Sequence, residues 1–299
     1  MIDIKQMTEE DIKFRFITPA ITAKWDADRV TLETKITDGK MNLRGNLVFR
    51  EKPKKADYVL YLNANNPIAV VEAKDNNHSV SFGMQQAMTY ARMLDVPFAY
   101  SSNGDAFFEH DFLTGKEREL SLSEFPSPDE LIARYQAEKG MNDQEKQILG
   151  QPYYTSPEKS PRYYQCNAIN RTVEAIAKGQ QRLLLVMATG TGKTYTAFQI
   201  VYRLLKSGMK KKVLYLADRN ILVDQSIQQD FAPLEKTIHK INFAKDDPVT
   251  ITSHEVYFSL YQQLTDREDE ENEDGEEEAV NRLEALFQRD FFDLVIVDE

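Results

Sequence analysis

The chain has 299 residues, 41% hydrophobic and 28% charged, which suits two ordinary globular domains, each with its own core. A single cysteine, Cys166, excludes a disulfide framework and fits a reducing compartment, and no apolar run approaches the roughly 20 residues of a membrane span. The polar, acidic start (MIDIKQMTEEDIK) does not read as a secretory signal, so a cytoplasmic protein without a membrane partner is expected. The net charge of −11 argues against nucleic acid only until its distribution is read: ten acids and one arginine between 266 and 278 account for most of it. Basic clusters at 50–55 (REKPKK) and 206–212 (KSGMKKK) could meet phosphates or be solvated turns, so charge alone leaves the partner open.

In chain order, the first segment (1–125) mixes strands and helices. The periodicity predicts a helix over Thr8–Lys24, strands at Asn46–Arg50, Asp57–Leu62 and Pro67–Lys74, and a helix at Ser81–Leu94. A strand at Phe98–Ser102 follows, turning at Asn103-Gly104 into Ala106–His110. Residues 126–160 have a linker's composition, with prolines and polar residues around one short helix, Asp129–Lys139. In 161–299 helix and strand alternate. Tyr164–Lys178 reads as helix, and Leu183–Met187, Val213–Ala217 and Leu294–Val297 read as continuous apolar strands of a parallel sheet covered on both faces. The acidic stretch 265–279 lacks apolar periodicity and reads as a disordered surface insert.

Asp57, Glu72 and Lys74 form one chemical centre. If their strands pair as a hairpin about Asn63–Asn66, Leu62 faces Pro67 and Asp57 faces Glu72, with Cβ atoms about 5 Å apart. Alternation then puts Lys74 on the face of Glu72. Two carboxylates so close need a counter-charge, and a hard divalent cation supplies it through oxygen ligation. Such a metal would activate a water that Lys74 orients or deprotonates. The plainer reading is a solvated salt bridge, since an E-x-K string is common; the apolar Ile68–Val71 leading straight into Glu72 favours the site. Gln86 and Tyr90, four apart on the next helix, could steady a phosphate or the metal, or Tyr90 could be a core aromatic with Gln86 at its rim.

The second centre is Thr189-Gly190-Thr191-Gly192-Lys193-Thr194, between an apolar run and a helix-like segment (Tyr195–Leu205). Glycines let backbone amides close around a polyphosphate, and the helix start adds its positive dipole end. Lys193 would reach the β/γ-phosphates, and Thr194 would ligate Mg²⁺. Met187 stands where the strict pattern has its first glycine, which favours translocase ATPases with a shorter core. The plainer alternative is a glycine-rich turn with a solvated lysine.

An Asp, then E-x-K on the next strand, then Q-x-x-x-Y on a helix resembles the PD-(D/E)xK nuclease fold. Joined to a superfamily 2 helicase motor, the chain resembles the restriction (R) subunit of type I restriction-modification enzymes. The resemblance runs in order through KADYVLYLN…PIAVVEAK (55–74), GMQQAMTYARMLDVPFAYSSNGD (83–105), LSEFPSPDELIARY (122–135) and RYYQCNAINRTVEAI (162–176). It continues through ATGTGKT (188–194), LADRNILVDQ (216–225), EVYFSLYQQL (255–264) and FFDLVIVDE (291–299). It implies an α/β fold: a mixed nuclease sheet with flanking helices, then an incomplete RecA-like parallel α/β motor domain. It also implies ATP-driven translocation and Mg²⁺-dependent cleavage of double-stranded DNA, with modification (methyltransferase) and specificity subunits as partners.

By the same resemblance Asp57 and Glu72 hold metal, Lys74 serves the water, and Gln86 and Tyr90 are the family's Q-x-x-x-Y element. Glu9, with Glu10 nearly equal, is the candidate for the carboxylate that a first helix often adds to such sites. Gln165 matches the glutamine that reads adenine, and Arg219 the DNA-backbone contact of motif Ia, although it could be a surface charge. Asp298 and Glu299 match the start of motif II, where Asp holds Mg²⁺ and Glu polarises the attacking water. Alternatives are another nuclease–helicase defence fusion and a non-enzymatic piece that binds ATP, DNA or the modification complex. In the family the ATPase site lies between two motor lobes, and the second is absent from this sequence. The isolated chain is therefore expected to bind ATP weakly, with no DNA-stimulated phosphate release above background in a turnover assay.

Overall fold

Thr8 opens the first helix with a reciprocal cap: its hydroxyl accepts the Asp11 amide, and the Asp11 carboxylate accepts the Thr8 amide. The helix runs as α1 (Glu9–Ile12), a π-helical segment (Lys13–Ile17) and α2 (Thr18–Thr22), burying Ile12, Ile17 and Ile21. The structure, a computed structural model, describes residues 3–37, 41–44, 47–50, 52–63, 66–157, 159–248, 251–265 and 282–298. Two units divide the chain, Met1–Asn170 and Arg171–Glu299.

The first unit is built on β1 (Val30–Thr37), β4 (Lys54–Asn63), β5 (Asn66–Ala73), β6 (Phe98–Ser102), β7 (Ala106–Asp111) and β8 (Glu117–Ser121), in the spatial order β1-β4-β5-β6-β7-β8. Only β5 and β6 pair in parallel within this sheet, joined by the crossover helix α3 (Met84–Leu94). β2 (Met41–Arg44) and β3 (Leu47–Arg50) form a separate ribbon, which contains the expected strand at 46–50 apart from Asn46, outside the described residues. Alternation sorts the two faces. Tyr58, Leu60, Ala69 and Val71 pack with Ile12, Ile17 and Ile21, while Val59, Val70 and Ala99 pack with Ala87 and Ala91 of α3.

The β4–β5 register agrees with the expected hairpin at Tyr58–Val71, Val59–Val70 and Leu60–Ala69. It slips beyond, where Tyr61 rather than Leu62 faces Pro67. Pro67 has no amide to give the ladder, so the irregularity falls there. The turn residues Ala64 and Asn65 lie outside the described residues.

Residues 126–160 differ from the expected linker. They carry α4 (Pro128–Lys139) and α5 (Asp143–Gly150), each opened by a capping box, Ser127 with Glu130 and Asn142 with Glu145. The prolines and polar residues that suggest a linker are thus partly helix-start signals. The segment is tied into the first unit at several points. The indole of Trp25, 2% exposed, donates to the Pro126 carbonyl at 2.8 Å, and Asn66 donates to the Leu149 carbonyl at 3.0 Å. Arg134 makes bonds of 2.9 Å to both Glu109 oxygens and 2.8 Å to Asp111.

In α6 (Tyr163–Ala177) the chain passes from one unit to the next. The second unit contains α7 (Lys193–Lys206), β9 (Val213–Ala217), α8 (Asn220–Gln228), β10 (Ile238–Lys240), β11 (Val256–Leu260), α9 (Gln262–Thr265), α10 (Arg282–Leu286) and β12 (Leu294–Asp298). Its strands are all parallel in the order β10-β11-β9-β12, over an aromatic core of Phe198, Tyr215, Phe231 and Phe258.

Two expectations fail in this unit. Leu183–Met187 is not a strand, with Leu184 88% and Val186 87% exposed. Cover on both faces holds at β9, buried at every residue, but not at the edge strand β12, where Val295 and Val297 are exposed. The run instead lines, with Ala197 and Ile200 of α7 and with β12, a cleft of about 550 Å³. Apolarity without alternation does not specify ladder pairing. The acidic stretch expected at 265–279 lies, from 266 on, outside the described residues. Among the described residues no helix is long and apolar enough to cross a membrane.

Burial pushes the Glu109 carboxyl up, but hydrogen bonds from Arg134, Arg118 and Tyr100 outweigh it and hold it below its usual range. A depressed carboxylate stabilises the fold above its unfolded pKa and loses that contribution as pH falls through the folded value. Glu109→Gln is expected to cost about 3 kcal/mol at neutral pH in denaturant unfolding. The gap to wild type should close below about pH 4.

Candidate active site

The register carries Asp57 to the level of Glu72, and the Asp57 amide donates to Glu72 Oε1 at 3.3 Å. On the other side of β4, the pairs Leu32–Tyr58 and Thr34–Ala56 put Glu33 at the level of Asp57. Three carboxylates thus occupy one level of β1, β4 and β5, an arrangement that destabilises a sheet unless cations intervene. Glu33 stands there with left-handed backbone, φ 49°, unusual for a residue with a side chain.

Two lysines answer the charge. Lys13, 7% exposed at the start of the π-helical segment, donates to Asp57 Oδ1 at 3.1 Å and Glu33 Oε1 at 3.0 Å, and its ammonium is 2.6 Å from Glu10. Burial would lower its pKa, but these acceptors raise it well above its ordinary value. Lys74 follows β5, with its ammonium 3.9 Å from Glu9, whose other oxygen is 4.0 Å from Lys13. Glu9 therefore lies between the two cations, and Glu10 lies against Lys13 alone among the described ion pairs. Burial, partly offset by Lys74 and reinforced by Asp57, raises the Glu9 carboxyl.

Glu72 is 1% exposed; the Asp57 amide donates to it, the Asp57 carboxyl lies against it, and Lys74 is the cation that draws on its charge. Burial, then the charge of Asp57, pushes its carboxyl up to about 9. A buried carboxylate so poorly compensated beside a second hard oxygen donor fits a divalent cation. As they stand, the described residues contain no group of three or more His, Cys, Asp or Glu side chains arranged to hold a metal.

The start of α3 closes the same face. A Cβ on Gly83 would fall 2.8 Å from Ser101 Oγ and 3.4 Å from both Glu72 Cβ and Lys74 Cγ, so Glu72 and Lys74 share this face against a backbone that must lack a side chain. The Ser101 hydroxyl accepts the Gly83 amide at 3.1 Å and donates to the Val80 carbonyl at 2.7 Å. Gln86 donates to the Tyr90 hydroxyl at 3.2 Å, and burial, with the charges of Glu72 and Asp57 contributing, raises the Tyr90 phenol.

Lys13, Glu33, Gly83 and Ser101 are additions to the residues legible in the sequence. Lys13 carries a weak signal, four residues after Glu9 and set among apolar neighbours. Glu33 carries none, because nothing local marks a left-handed glutamate.

In the second unit Gly190 (φ 77°) and Gly192 (φ 82°) hold the loop in a conformation that side chains resist, and Lys193 begins α7. Thr191 closes the turn on the Ala188 carbonyl through its amide and hydroxyl, and Thr189 is exposed at the loop. The Thr194 hydroxyl is 3.5 Å from Asp298 Oδ2, a long contact, and the Tyr215 hydroxyl donates to the same oxygen at 2.5 Å. The loop, a lysine and a hydroxyl–carboxylate pair fit a nucleotide with its Mg²⁺. Arg219 is exposed at the start of α8, 3.4 Å from Asp218. Gln165 lies on α6 in the first unit, where its side-chain carbonyl accepts the Arg162 amide at 2.9 Å. Glu299 lies outside the described residues.

Comparison with known proteins gives two family matches: "Type I restriction enzyme R protein N terminus" over residues 23–126, and "Type III restriction enzyme, res subunit" over 158–299. The EcoAI endonuclease subunit of an Escherichia coli type I restriction enzyme is 44% identical over 305 aligned residues, covering 100% of this chain and 36% of that protein. A solved fragment described as an HsdR subunit of a type I restriction enzyme from Vibrio vulnificus YJ016 superposes with a TM-score of 0.78 at 37% identity, covering 98% of this chain and 51% of that one. The chain belongs to the R-subunit (HsdR) family of type I restriction enzymes. It is also similar, at 29% identity over 74% of its length, to the EcoKI endonuclease subunit of Escherichia coli strain K12, of which it covers 23%. It thus spans about a third of the EcoAI R subunit's length and matches the family's N-terminal region.

Gly83→Ala in this R-subunit chain is expected to lower stability by about 1–3 kcal/mol, read as a drop in melting temperature. Combining it with Ser101→Gly, which removes the clashing hydroxyl, should recover part of the loss.

Proposed function

We propose that this chain carries the nuclease centre and the first ATP-binding lobe of a type I site-specific endonuclease. The observation that carries the reading is Asp57 level with Glu72, with Lys74 on the face of Glu72 and Glu9 beside both lysines. Residues 1–125 then form a PD-(D/E)xK nuclease, extended by the helices of 126–160, and 161–299 form a RecA-like lobe. Asp57, Glu72 and Glu9 would hold Mg²⁺, which when bound supplies charge stabilisation at the scissile phosphate and acidifies a water.

The remaining work belongs to side chains. Lys74 orients the attacking water or takes its proton, and Gln86 and Tyr90, joined by their own hydrogen bond, steady the phosphate from α3. In the second unit the amides of Thr189–Thr194 cradle the ATP phosphates, Lys193 meets the β/γ-phosphates, and Thr194 with Asp298 holds the nucleotide's Mg²⁺. Gln165 reads the adenine, Arg219 meets the DNA backbone, and Glu299 polarises the water of hydrolysis. The substrate is double-stranded DNA, translocated at the expense of ATP and cut, in a cytoplasmic complex with modification and specificity subunits.

Mg²⁺-dependent nicking of supercoiled plasmid by the purified chain tests the nuclease part. Asp57→Ala and Lys74→Ala are each expected to lower the rate about a hundredfold or more, with thermal melts showing intact folds. Equal nicking by wild type and both variants would remove these residues from the active site.

A further inference from the structure

Lys13 lies where its charge competes with any metal that Asp57 is to hold. Both Asp57 oxygens are engaged: Oδ2 takes the Ala73 amide at 2.8 Å and Oδ1 takes the Lys13 ammonium at 3.1 Å. A divalent cation seeking Asp57 therefore meets a tethered cation on the available oxygen. Lys13 arrives from the opposite layer of the sheet, on the helix that buries Ile12 and Ile17, and its ammonium is drawn outward by two further acceptors. The side chains of Glu10 and Glu33 are 79% and 54% exposed, against 12% for Asp57. The ammonium can let go of Asp57 and keep two carboxylate partners nearer solvent. Glu33 faces it from a left-handed position at the level of Asp57, and the helix widens into its π-helical segment at Lys13.

We propose that Lys13 is the resident cation of this site: it neutralises Asp57 before metal arrives, and it withdraws to Glu10 and Glu33 when a divalent cation takes Asp57 Oδ1. This rests on reading Asp57 and Glu72 as metal-holding carboxylates. Without such a cation, carboxylates at one level of the sheet would repel or take up protons, and the apo fold would weaken. The cost is lower metal affinity, because the binding-competent arrangement is only part of the population. Lys13 is a positioning residue, distinct from Lys74, which serves the water.

The test is calorimetric titration of the 299-residue chain with Ca²⁺ at pH 8. The key variant is Lys13→Met/Glu33→Gln, which removes one charge of each sign and leaves the net charge unchanged. We expect it to bind Ca²⁺ about tenfold more tightly than wild type, an effect a general electrostatic field would not produce. We expect Glu33→Gln alone to bind more weakly, since the ammonium then has less reason to leave Asp57. Lysine-acylation footprinting of wild type should show Lys13 more reactive in Ca²⁺ than in chelator. Should Lys13→Met/Glu33→Gln fail to fold, as judged by thermal melting, the footprint alone decides, and no rise in reactivity on Ca²⁺ binding overturns the proposal.

Asp57→Asn separates the two readings. If it abolishes Ca²⁺ binding while the folded double variant binds no more tightly than wild type, the resident-cation inference falls and the metal site stands. If neither wild type nor the folded double variant takes up Ca²⁺, both fall.

Discussion

Like charge concentrated at one level of a β-sheet is the constraint on which the first unit depends. Asp57 sits on an interior strand, with Glu72 level on one side and Glu33 on the other. Glu33 reaches solvent from the edge strand, but Asp57 is largely buried and Glu72 fully so, and their repulsion cannot be relieved by turning either side chain outward. The relief comes from two elements that would otherwise have no reason to meet. Lys74 is placed by the exit of β5, and Lys13 by a helix docked through Ile12, Ile17 and Ile21 on the other face. Helix docking and site geometry are therefore one problem, since a shift of one residue along the helix moves Lys13 by about 1.5 Å.

A second buried charge cluster in the same unit shows what full compensation looks like. Glu109 receives two arginines and a tyrosine hydroxyl, with Asp111 sharing Arg134, and its carboxyl is held in the charged form. Glu72, equally buried, takes the Asp57 amide but also faces the Asp57 carboxyl, and is pushed toward the neutral form. The contrast separates a cluster whose charge is fully compensated from one whose charge is not. In the second unit Asp298 is intermediate, held by the Tyr215 hydroxyl and only loosely by Thr194.

What the sequence made legible followed from periodicity and strand pairing. Counting back from a tight turn put Asp57 opposite Glu72 because the ladder is regular from Tyr58 to Leu60, even though it slips at Pro67. The glycines of 189–194 were legible because positive φ has few other tenants. Elsewhere local chemistry misled. Ser127-Pro128 and Asn142 looked like linker residues, yet they cap helices. Leu183–Met187 looked like a strand because apolarity was its only property. Glu33, and Lys13 beyond its weak signal, escaped for another reason: their contacts depend on which strand lies beside β4, and the sheet order β1-β4-β5 is not written locally anywhere.

The buried indole that bonds to Pro126 has a use apart from packing. Trp25 is the chain's only tryptophan, and it belongs wholly to the first unit, at the junction between the opening helix and the segment leading to α4. Its red-edge fluorescence is therefore a built-in optical probe of one half of the molecule. Set beside far-ultraviolet dichroism, which sums over all helices, emission from that one ring would show whether the two halves unfold as one cooperative system or as two.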